Sequence, residues 1–362
     1  MHSILHLIPT LEGGGAERQL SMLASEQSRR GIRVHVGLRR GGVHEKLLSD
    51  NGVFLHYLGD HNSINPLLFI RADDLIKDSK PDIIQTWLPQ MDVVGGVAAL
   101  WNSIPWIISE RTSEDSYKGW QPFIRARRLL ARHAKAVVAN SVGGFEYWRK
   151  AGVKGTKVFR IANAIDGNAV RNAVAQGQNS KGSVPEIIVV GRLEPVKAVA
   201  VIVQALSLVP ADLLFHVSVV GDGRMRDEIA FSIDRFGIGN RVSLCPYDPS
   251  WWSRLKSASL LISMSRYEGQ PNVVLETMAS GCPLIVSDIP AHRELLDESS
   301  AVFVQLDDSQ SLAEAIASHF ADLRSAKNRA ELARSRVDAM TIQVTADAYQ
   351  TVYTRLLGDY HK

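Results

Sequence analysis

The chain has 362 residues, of which 45% are hydrophobic and 22% charged, a composition typical of a soluble protein with two domains. Its two cysteines, Cys245 and Cys282, lie far apart in sequence, which argues against a disulfide framework or a zinc site and fits a reducing cytoplasm. The net charge of +3 conceals an excess of seven positive charges in residues 1–175, which hold 23 Lys and Arg against 16 Asp and Glu. This excess indicates an anionic partner such as a phosphate or a lipid surface, unless it is ordinary surface scatter.

The N-terminal residues MHSILHLIPTLEGGG contain a short apolar run without a basic leader or a small-residue cleavage site. They therefore predict a first strand and not a signal peptide. The most apolar long window, residues 87–108, is interrupted by Asp92, Asn102, two prolines and two glycines. We expect no transmembrane segment.

Strand and helix patterns alternate along the first half of the chain. The runs SILHLIP and VHVGLRR flank a helical pattern from Ala16 to Arg30, for which Gly31 is the expected C-cap. Further strands are predicted at DIIQTW, WIISE, AVVANS and KVFRIA. This alternation predicts a parallel sheet covered on both faces, which we assign to a first domain at residues 1–170.

The second half repeats the pattern after a polar stretch, residues 172–186, that predicts a linker or a loop close to it. Six more strands are predicted, at IIVVGRL, FHVSVVGDG, RVSLCP, LLISMS, PLIVSD and AVFVQL. They indicate a second doubly wound domain at residues 171–341. The last helical stretch, about 342–362, has no strand after it and is expected to pack back on the first domain. Two such sheets facing each other would place ligands in a central cleft.

A glycine run, Gly13 to Gly15, follows the first strand and leads into a helix. Glycines allow a close approach of the backbone, and a helix N-terminus attracts anions, so a phosphate or diphosphate is the expected ligand. The spacing matches neither G-x-G-x-x-G nor a P-loop. A tight turn without a ligand is the alternative.

Two cations, Arg192 and Lys197, lie in the loop GRLEPVK after the first strand of the second domain. Such a pair could neutralise a pyrophosphate leaving group as the bond breaks, although solvated surface charge is the alternative. The nearby glycines of GDG, residues 221–223, fit either a ligand loop or a plain turn.

Two glutamates, Glu268 and Glu276, lie eight positions apart in EGQPNVVLE. The strand LLISMS precedes them, Pro271 suits a first helical turn, and the helix NVVLETMAS is expected to end at Gly281. Glu268 would lie in the loop, and Glu276 about one and a half turns into the helix, leaning back toward its N-terminus. One carboxylate could accept hydrogen bonds from sugar hydroxyls and the other from ribose hydroxyls.

The motifs taken together resemble the retaining glycosyltransferases of the GT-B fold, family 4, also called group 1. EGQPNVVLE resembles their E-x7-E motif, and the match continues through ETMASGCPLIVSD. The other marks, GGGAERQL, NS, RIANAID, GRLEPVK and GDG, occur in the expected order. The resemblance covers nearly the whole chain and implies an α/β fold of two Rossmann-like domains.

The resemblance also implies the roles of the site residues. Arg192 and Lys197 would bind the donor diphosphate, Glu276 the ribose and Glu268 the transferred sugar, with Glu268, Arg192 and Lys197 acting in catalysis. The implied donor-binding set is Gly14, Gly15, Arg192, Lys197, Glu268, Gly269, Gln270, Pro271, Asn272, Val273 and Glu276. No cofactor and no metal are expected, since the cation pair would replace a metal.

One departure from the family pattern concerns the loop after DIIQTW, where many members carry a histidine. This chain has Gln85 and Trp87 there. Trp87 is a candidate for acceptor contact, and Glu110 and Arg111 are candidate substitutes for the histidine. A structural ion pair is the alternative for Glu110 and Arg111.

A basic helical face is predicted from Arg125, Arg128, Arg132 and Lys135, with Trp120 and Phe123 at its start. It could contact anionic lipid headgroups or hold the diphosphate of a polyprenyl-linked sugar, with a solvated helix face as the alternative. This is the expected membrane or acceptor face.

The expected function is transfer of a sugar from a nucleotide diphosphate donor to a sugar hydroxyl of a lipid-linked or polysaccharide acceptor. The expected donor is a UDP-sugar. We expect a cytoplasmic enzyme of bacterial surface glycan synthesis, working at the inner face of the membrane. A sugar-nucleotide epimerase, a phosphorylase and a silent nucleotide-binding subunit are the alternatives. No nucleic-acid motif accompanies the basic excess.

Overall fold

A computed structural model of the protein describes residues 1–59, 65–117, 121–177 and 184–360. The chain divides into two compact units. The first contains Met1–Ala164 together with Met340–Lys362, and the second contains Ile165–Ala339.

The first unit is built on a parallel sheet of seven strands in the order β3-β2-β1-β4-β5-β6-β7. The strands are β1 (Ser3–Thr10), β2 (Arg33–Arg40), β3 (Phe54–Tyr57), β4 (Ile83–Trp87), β5 (Trp106–Glu110), β6 (Ala136–Ala139) and β7 (Val158–Arg160). The helices are α1 (Gly15–Arg29), α2 (Glu45–Asp50), α3 (Pro66–Ser79), α4 (Leu88–Trp101), α5 (Gln121–Ala131) and α6 (Val142–Lys150). Apolar side chains of α3 to α6 cover one face of the sheet, and those of α1, α2 and the C-terminal helix cover the other.

The second unit has a parallel sheet of six strands in the order β10-β9-β8-β11-β12-β13. Its strands are β8 (Glu186–Val190), β9 (His216–Val220), β10 (Val242–Cys245), β11 (Ala258–Ser263), β12 (Leu284–Ser287) and β13 (Val302–Val304). Its helices are α7 (Gly167–Gln176), α8 (Val199–Leu208), α9 (Arg226–Arg235), α10 (Asn272–Ser280), α11 (Pro290–Arg293), α12 (Ser309–Ala321) and α13 (Leu323–Val337). In each unit, the strand order reverses once, as in a doubly wound sheet, so the predicted α/β class is confirmed.

All twelve predicted strands are present, and the structure adds β3, which the sequence analysis missed. Strand β3 lies at the edge of the first sheet, where only one neighbour pairs with it. Its end residues Phe54 and Tyr57 are more than half exposed. An edge strand does not need two buried faces and therefore lacks the apolar run that marks the interior strands.

The polar stretch that predicted a linker is in part helical. Residues 172–176 complete α7, which contacts α10 in the second unit. The predicted boundary between residues 170 and 171 falls inside this helix. Residues 178–183 of the same stretch lie outside the described part of the chain.

The C-terminal helix α14 (Ile342–Tyr360) packs on α1 in the first unit. A chain of buried hydrogen bonds connects it to the sheet. Gln27 of α1 donates to the hydroxyl of Tyr353 (3.1 Å), and that hydroxyl donates to Gln85 of β4. Gln27 also bonds to His6, whose pKa burial lowers to about 4. Buried polar groups with matched partners make the docking of this helix specific.

A buried ion triad lies beneath α4 and α5. Arg127 contacts Asp92 at 2.6 Å and Glu110 at 3.0 Å, and all three side chains are at most 1% exposed. Burial raises the pKa of Asp92 to about 6, with the charge of Glu110 adding to the shift and Arg127 opposing it. Two carboxylates thus share one guanidinium in a medium that disfavours their charge.

We expect the substitution Asp92→Asn to remove a pH dependence from the stability of the fold. The folded chain binds a proton at Asp92 between pH about 4 and about 6, while the unfolded group, with an ordinary pKa of 3.8, does not. The contribution of Asp92 to the free energy of unfolding therefore falls as the pH rises through this window, by up to about 3 kcal/mol. Urea denaturation should show the variant gaining stability relative to wild type from pH about 4 to about 7.

The matched control is Asp73→Asn in the same unit. Lys77 and Asn102 hold the pKa of Asp73 below its usual value of 3.8, so this carboxylate is ionised in both states above pH about 5. Its variant should show a constant difference from wild type. A constant difference for Asp92→Asn as well would contradict the shifted pKa.

Candidate active site

The two adjacent strands β8 and β11 define the switch point of the second sheet. After β8 the chain continues to β9 on one side of this pair, and after β11 it continues to β12 on the other side. This reversal opens a crevice at the carboxyl ends of the two strands. Residues 191–198 follow β8, and residues 264–271 follow β11. Arg192 and Lys197 lie in the first loop and Glu268 in the second, so the sheet order brings the predicted residues to one edge.

Lys197 and Glu268 form an ion pair across this switch point. The Nζ of Lys197 lies 2.5 Å from Oε1 of Glu268, which also accepts a hydrogen bond from Ser265 Oγ at 2.8 Å. Burial opposes ionisation of Glu268, but the charge and hydrogen bond of Lys197 outweigh it and hold the pKa of Glu268 below its usual value. An ionised carboxylate and an ammonium group therefore face each other in the loop region.

Arg192 is exposed and forms no ion pair with any described residue. Lys197 ends a short 3₁₀ helix, Pro195–Lys197, and the next residue, Ala198, has left-handed backbone with φ of +48°. Such strain in a residue with a side chain is found at functional sites. It turns the chain directly into α8 after Lys197.

The motifs GRL and GDG form one backbone unit. Leu193 donates its N–H to the carbonyl of Asp222 (2.9 Å), and Met225 donates to the carbonyl of Leu193 (2.9 Å). A Cβ at Gly221 would lie 2.0 Å from the Gly191 carbonyl oxygen, and one at Gly223 would lie 2.5 Å from that of Leu193. The glycines of GDG are therefore required for this close approach, which supports the loop that carries Arg192.

Glu276 lies inside α10, where it is 1% exposed. Its Oε2 accepts a hydrogen bond from Trp252 Nε1 at 3.1 Å. Trp252 was not predicted, because a tryptophan in a 3₁₀ turn carries no chemical signal in sequence. The helix ends at Gly281 with φ of +76°, as predicted, but Pro271 is the N-cap and not part of the first turn.

The remaining predicted donor residues surround the N-terminus of α10. Gly269 and Pro271 are buried, whereas Gln270, Asn272 and Val273 are partly exposed. The N-terminus of this helix, with its positive dipole end, therefore lies between the two glutamates in the chain. The structure places these residues in one loop and helix start, and their role in donor binding stays a prediction.

A chain of buried hydrogen bonds connects Glu268 through Ser265 and Ser287 to His292. Ser265, which donates to Glu268, offers its carbonyl to Ser287 Oγ (2.6 Å), and the carbonyl of Ser287 accepts from His292 Nδ1 (2.8 Å). Burial lowers the pKa of His292, and the charge of Glu268 only partly opposes that shift. His292 is therefore neutral, with its proton on Nδ1. Neither serine nor the histidine stood out in sequence.

The glycine run lies at the switch point of the first sheet, between β1 and β4. Gly14 is the N-cap of α1, and Gly15 is its first residue. Next to them, the buried Glu17 accepts a hydrogen bond from Thr10 Oγ1 (3.2 Å), and a Cβ at Gly14 would lie 2.3 Å from Glu17 Oε2. A carboxylate thus lies beside the loop in which the resemblance implied a phosphate.

Glu110 is held in the buried triad by more than Arg127. Its oxygens also accept hydrogen bonds from the Tyr117 hydroxyl (2.7 Å), from Trp148 Nε1 (3.0 Å) and from two backbone N–H groups. The carboxylate is saturated and 1% exposed. This geometry favours the structural alternative for Glu110, although the ion pair is with Arg127 and not with Arg111.

Arg111 and Trp87 lie together at the carboxyl edge of the first sheet. The guanidinium lies 4.6 Å from the ring centroid of Trp87 and donates to Asn163 Oδ1 (3.1 Å) and to Tyr349 of α14. Trp87 is fully buried and donates to His6 Nδ1 (3.1 Å). The next residue, Leu88, has left-handed backbone with φ of +69°.

The predicted basic face is divided by the structure. Arg125 and Arg132 are exposed, with Arg132 in the turn after α5. Arg128 is partly buried, donates to the Tyr147 hydroxyl (3.0 Å) and stacks on that ring. Trp120 lies outside the described residues.

Two further properties concern the described part of the chain only. None of its helices combines the length and hydrophobicity needed to span a bilayer. No cluster of three or more His, Cys, Asp or Glu side chains is arranged there to hold a metal ion.

Comparison with known proteins identifies the family. The family model described as Glycosyltransferase Family 4 matches residues 13–168, and that described as Glycosyl transferases group 1 matches residues 184–322. The chain belongs to the group 1 glycosyltransferases of the GT-B type, so the predicted family is confirmed and the protein is a glycosyltransferase.

Individual relatives are distant but extend over most of the chain. The lipopolysaccharide core biosynthesis glycosyltransferase LpsE of Rhizobium meliloti is 22% identical over 95% of this chain and 96% of its own. The UDP-Gal:alpha-D-GlcNAc-diphosphoundecaprenol alpha-1,3-galactosyltransferase of Escherichia coli is 24% identical over 67% of each chain. The structure of Anabaena HepE with UDP and glucose has a TM-score of 0.87 at 20% identity, covering 98% of this chain and 100% of that one. This likeness confirms the GT-B fold.

We expect Lys197→Met to lower the free energy of unfolding by no more than about 1 kcal/mol near neutral pH. The pair is partly exposed, with 21% of the Lys197 and 17% of the Glu268 side chain accessible. Because the pKa of Glu268 is depressed, the loss should be present above its ordinary value of 4.5 and vanish as the pH falls through the folded value. Denaturation at several pH values measures this, and a loss of several kcal/mol would show that the pair is a structural anchor.

Proposed function

We propose that this enzyme transfers a sugar from a UDP-sugar, with retention of anomeric configuration, to a sugar hydroxyl on a lipid-linked acceptor in bacterial surface glycan synthesis. The observation that carries the proposal is the Lys197–Glu268 pair at the switch point of the second sheet. Beside the pair, Arg192 is exposed. In the proposed complex, the two cations lie beside the donor diphosphate, and the carboxylate lies beside the sugar.

The cations act on the leaving group. When the bond between the anomeric carbon and the diphosphate oxygen breaks, its electron pair passes to the diphosphate, and negative charge grows there. Arg192 and Lys197 stabilise that charge, which is greater in the transition state than in the ground state. They take the part that a metal has in other sugar transfers, so the proposed reaction needs no metal and no cofactor.

Glu268 has two proposed roles: it holds Lys197, and it positions the transferred sugar. The Nζ of Lys197 lies 2.5 Å from Oε1 of Glu268. A bound diphosphate attracts the ammonium group, and the carboxylate released from it accepts hydrogen bonds from sugar hydroxyls. Support from Ser265 keeps Glu268 in place during this exchange. The two groups are therefore preorganised for a donor that carries both a diphosphate and a sugar.

Glu276 is the proposed ribose contact. It is buried one turn inside α10, and Trp252 holds one of its oxygens. A carboxylate accepts two vicinal hydroxyls well, and the helix N-terminus before it favours the diphosphate. The uracil base is proposed because HepE was solved with UDP and the Escherichia coli relative is named for UDP-Gal.

The acceptor is proposed from the relatives and from the first unit. One relative is named for a diphosphoundecaprenol-linked acceptor and another for lipopolysaccharide core biosynthesis. In this chain, Trp87 is fully buried, so we assign Arg111, whose guanidinium lies over the Trp87 ring, to the acceptor side. We assign Arg125, Arg128 and Arg132 to anionic groups of a lipid carrier. The proposed location is the cytoplasm, at the inner face of the membrane.

We expect UDP to raise the thermal stability of wild type and to do so less for Glu276→Gln. Glutamine keeps the size of the side chain and an acceptor oxygen for Trp252, so folding should persist while a charged hydrogen bond to ribose is lost. Affinity should fall at least about tenfold. At about 100 times the dissociation constant, UDP adds roughly 2.7 kcal/mol to wild type.

The panel contains UDP, GDP, ADP and NAD, and Glu314→Gln, an exposed carboxylate on α12, is the matched control. Equal UDP affinity in Glu276→Gln and wild type would remove the ribose assignment. A shift with NAD alone would overturn the proposed function. A UDP shift without any turnover would indicate a silent subunit.

Lys197→Met should reduce turnover by about a hundredfold or more, since it removes one cation from the leaving group. Release of UDP from UDP-sugars in the presence of lipid-linked acceptors measures this. Lys256→Met, in the same unit but bonded to the carbonyl of Ala175, is the control and should keep its activity. Full activity of Lys197→Met would refute the leaving-group role.

A further inference from the structure

Arg266 lies in the loop after β11, two residues before Glu268, and its guanidinium contacts loops on both sides of its own strand. The Nη1 atom donates to the carbonyl of Pro195 in the loop after β8 (2.5 Å). The Nη2 atom lies 2.5 Å from Oδ1 of Asp307, in the loop after β13. All strands of this sheet are parallel, so Arg266 joins three loops at the carboxyl edge of the second sheet.

The contact with Pro195 bears directly on Lys197. Pro195 begins the short 3₁₀ helix that ends at Lys197, and its carbonyl also accepts the N–H of Ala198 (3.2 Å), which closes that turn. The backbone N–H of Arg266 donates to the carbonyl of Val196 (2.8 Å). Both residues that precede Lys197 are thus bonded to Arg266. The turn that carries the ammonium group is therefore fixed to the loop after β11.

The chain has left-handed backbone at both places where the guanidinium is bound. Ala198, directly after the turn, has φ of +48°, and Asp307 has φ of +57°. This conformation is uncommon for a residue with a side chain and persists where surrounding contacts impose it. The hydrogen bond to Pro195 is such a contact at the turn, and the ion pair is such a contact at Asp307. Loss of the guanidinium should therefore let the turn relax and displace Lys197.

The pair of Arg266 and Asp307 is too exposed to contribute much to stability. The accessible fraction is 38% for the Arg266 side chain and 54% for that of Asp307, and pairs of this kind add little to the free energy of unfolding. Both carboxylate oxygens face the guanidinium, however, since Oδ2 lies 3.4 Å from Nε. A two-point contact fixes the orientation of a planar guanidinium. Asp307 therefore orients Arg266 toward Pro195.

A second connection between the loops becomes important when a donor binds. The ion pair of Lys197 and Glu268 is itself a link between the loops after β8 and β11. That link breaks when the diphosphate attracts the ammonium group. Because lysine is a point charge on a flexible stem, the position of its ammonium group then depends on its backbone. The contacts of Arg266 use neither charged group of the broken pair, so the exchange leaves them intact.

We propose that Arg266, oriented by Asp307, is a positioning residue for Lys197. It holds the turn that carries Lys197 at the place where the ammonium group meets the charge that grows on the leaving diphosphate. The inference rests on the proposed function, because it takes the leaving-group role of Lys197 as its starting point. Arg266 acts through the backbone of the turn and not through its own charge.

The test is a double-mutant cycle of Arg266→Ala and Lys197→Met. The rate measured is the kcat for transfer from UDP-galactose or UDP-glucose to GlcNAc-diphosphoundecaprenol. Arg266→Ala should lower kcat about ten- to a hundredfold, since displacing a catalytic group by about 1 Å has an effect of this size. In the Lys197→Met background the same substitution should have no further effect, because the group that it positions is absent. Losses that multiply would overturn the proposal.

Arg266→Lys separates positioning from charge. Lysine keeps the positive charge but cannot contact Pro195 and both oxygens of Asp307 at once, so kcat should fall nearly as far as in Arg266→Ala. Asp307→Asn leaves the guanidinium in place with a weaker partner and should lower kcat to a smaller extent. Full activity of Arg266→Lys would show that charge alone is needed and would contradict the positioning role.

The matched control is Arg336→Ala on α13. Arg336 pairs with Asp297 at 2.6 Å with similar accessible fractions, 36% and 49%, and its hydrogen bonds go to Leu295, Asp297 and Ser299. Urea denaturation should show equally small losses of stability for Arg336→Ala and Arg266→Ala, while only Arg266→Ala loses turnover. An equal loss of kcat in the control would overturn the proposal.

UDP affinity separates this inference from the proposed function. Measured by the dissociation constant of UDP, the same cycle needs no acceptor. Arg266→Ala should weaken UDP binding in wild type and leave it unchanged in Lys197→Met. This coupling without sugar transfer by wild type would support the positioning role and refute the proposed function. Transfer by wild type with unchanged kcat in Arg266→Ala would refute the positioning role alone, and absence of UDP binding by wild type would refute both.

Discussion

Parallel strand order is the constraint on which the site depends. In a parallel sheet the carboxyl ends of all strands meet at one edge, and the strands β8 and β11 lie side by side although about seventy residues separate them in the chain. This places an ammonium group and a carboxylate within hydrogen-bond distance. The same rule brings the glycine loop, Trp87 and Arg111 to one edge of the first sheet.

The two units use buried polar groups for different purposes. In the first unit, the triad around Arg127 and the hydrogen bonds between His6, Gln27, Gln85 and Tyr353 fasten helices to the sheet. In the second unit, the buried serines and His292 lead to Glu268, which remains partly exposed. Polar burial therefore fastens helices in the first unit and supports the loop that carries Glu268 in the second.

Hydrogen-bonded residues of the first sheet surround the position at which many family members carry a histidine. Gln85 and Trp87 both lie in strand β4 and not in the loop after it, and both are hydrogen bonded within the sheet, Trp87 to His6 and Gln85 to Ser109. His6 uses both ring nitrogens and its pKa is low, so it is a neutral buried group. Among the three candidates at this edge, Glu110 is saturated within the core, while Arg111 lies over Trp87 next to the strained Leu88.

The sequence by itself determined every strand except β3, the helix that ends at Gly281 and the positions of the two glutamates. Interior parallel strands are buried on both faces and must be apolar, and a left-handed cap requires glycine, so these features are local. Only the tertiary structure decided that Lys197 pairs with Glu268, that Arg127 and not Arg111 neutralises Glu110, and that Glu17 lies beside Gly14. It also added the edge strand β3. These contacts depend on which strands become neighbours, and sheet order is fixed by the packing of whole helices and not by any local pattern.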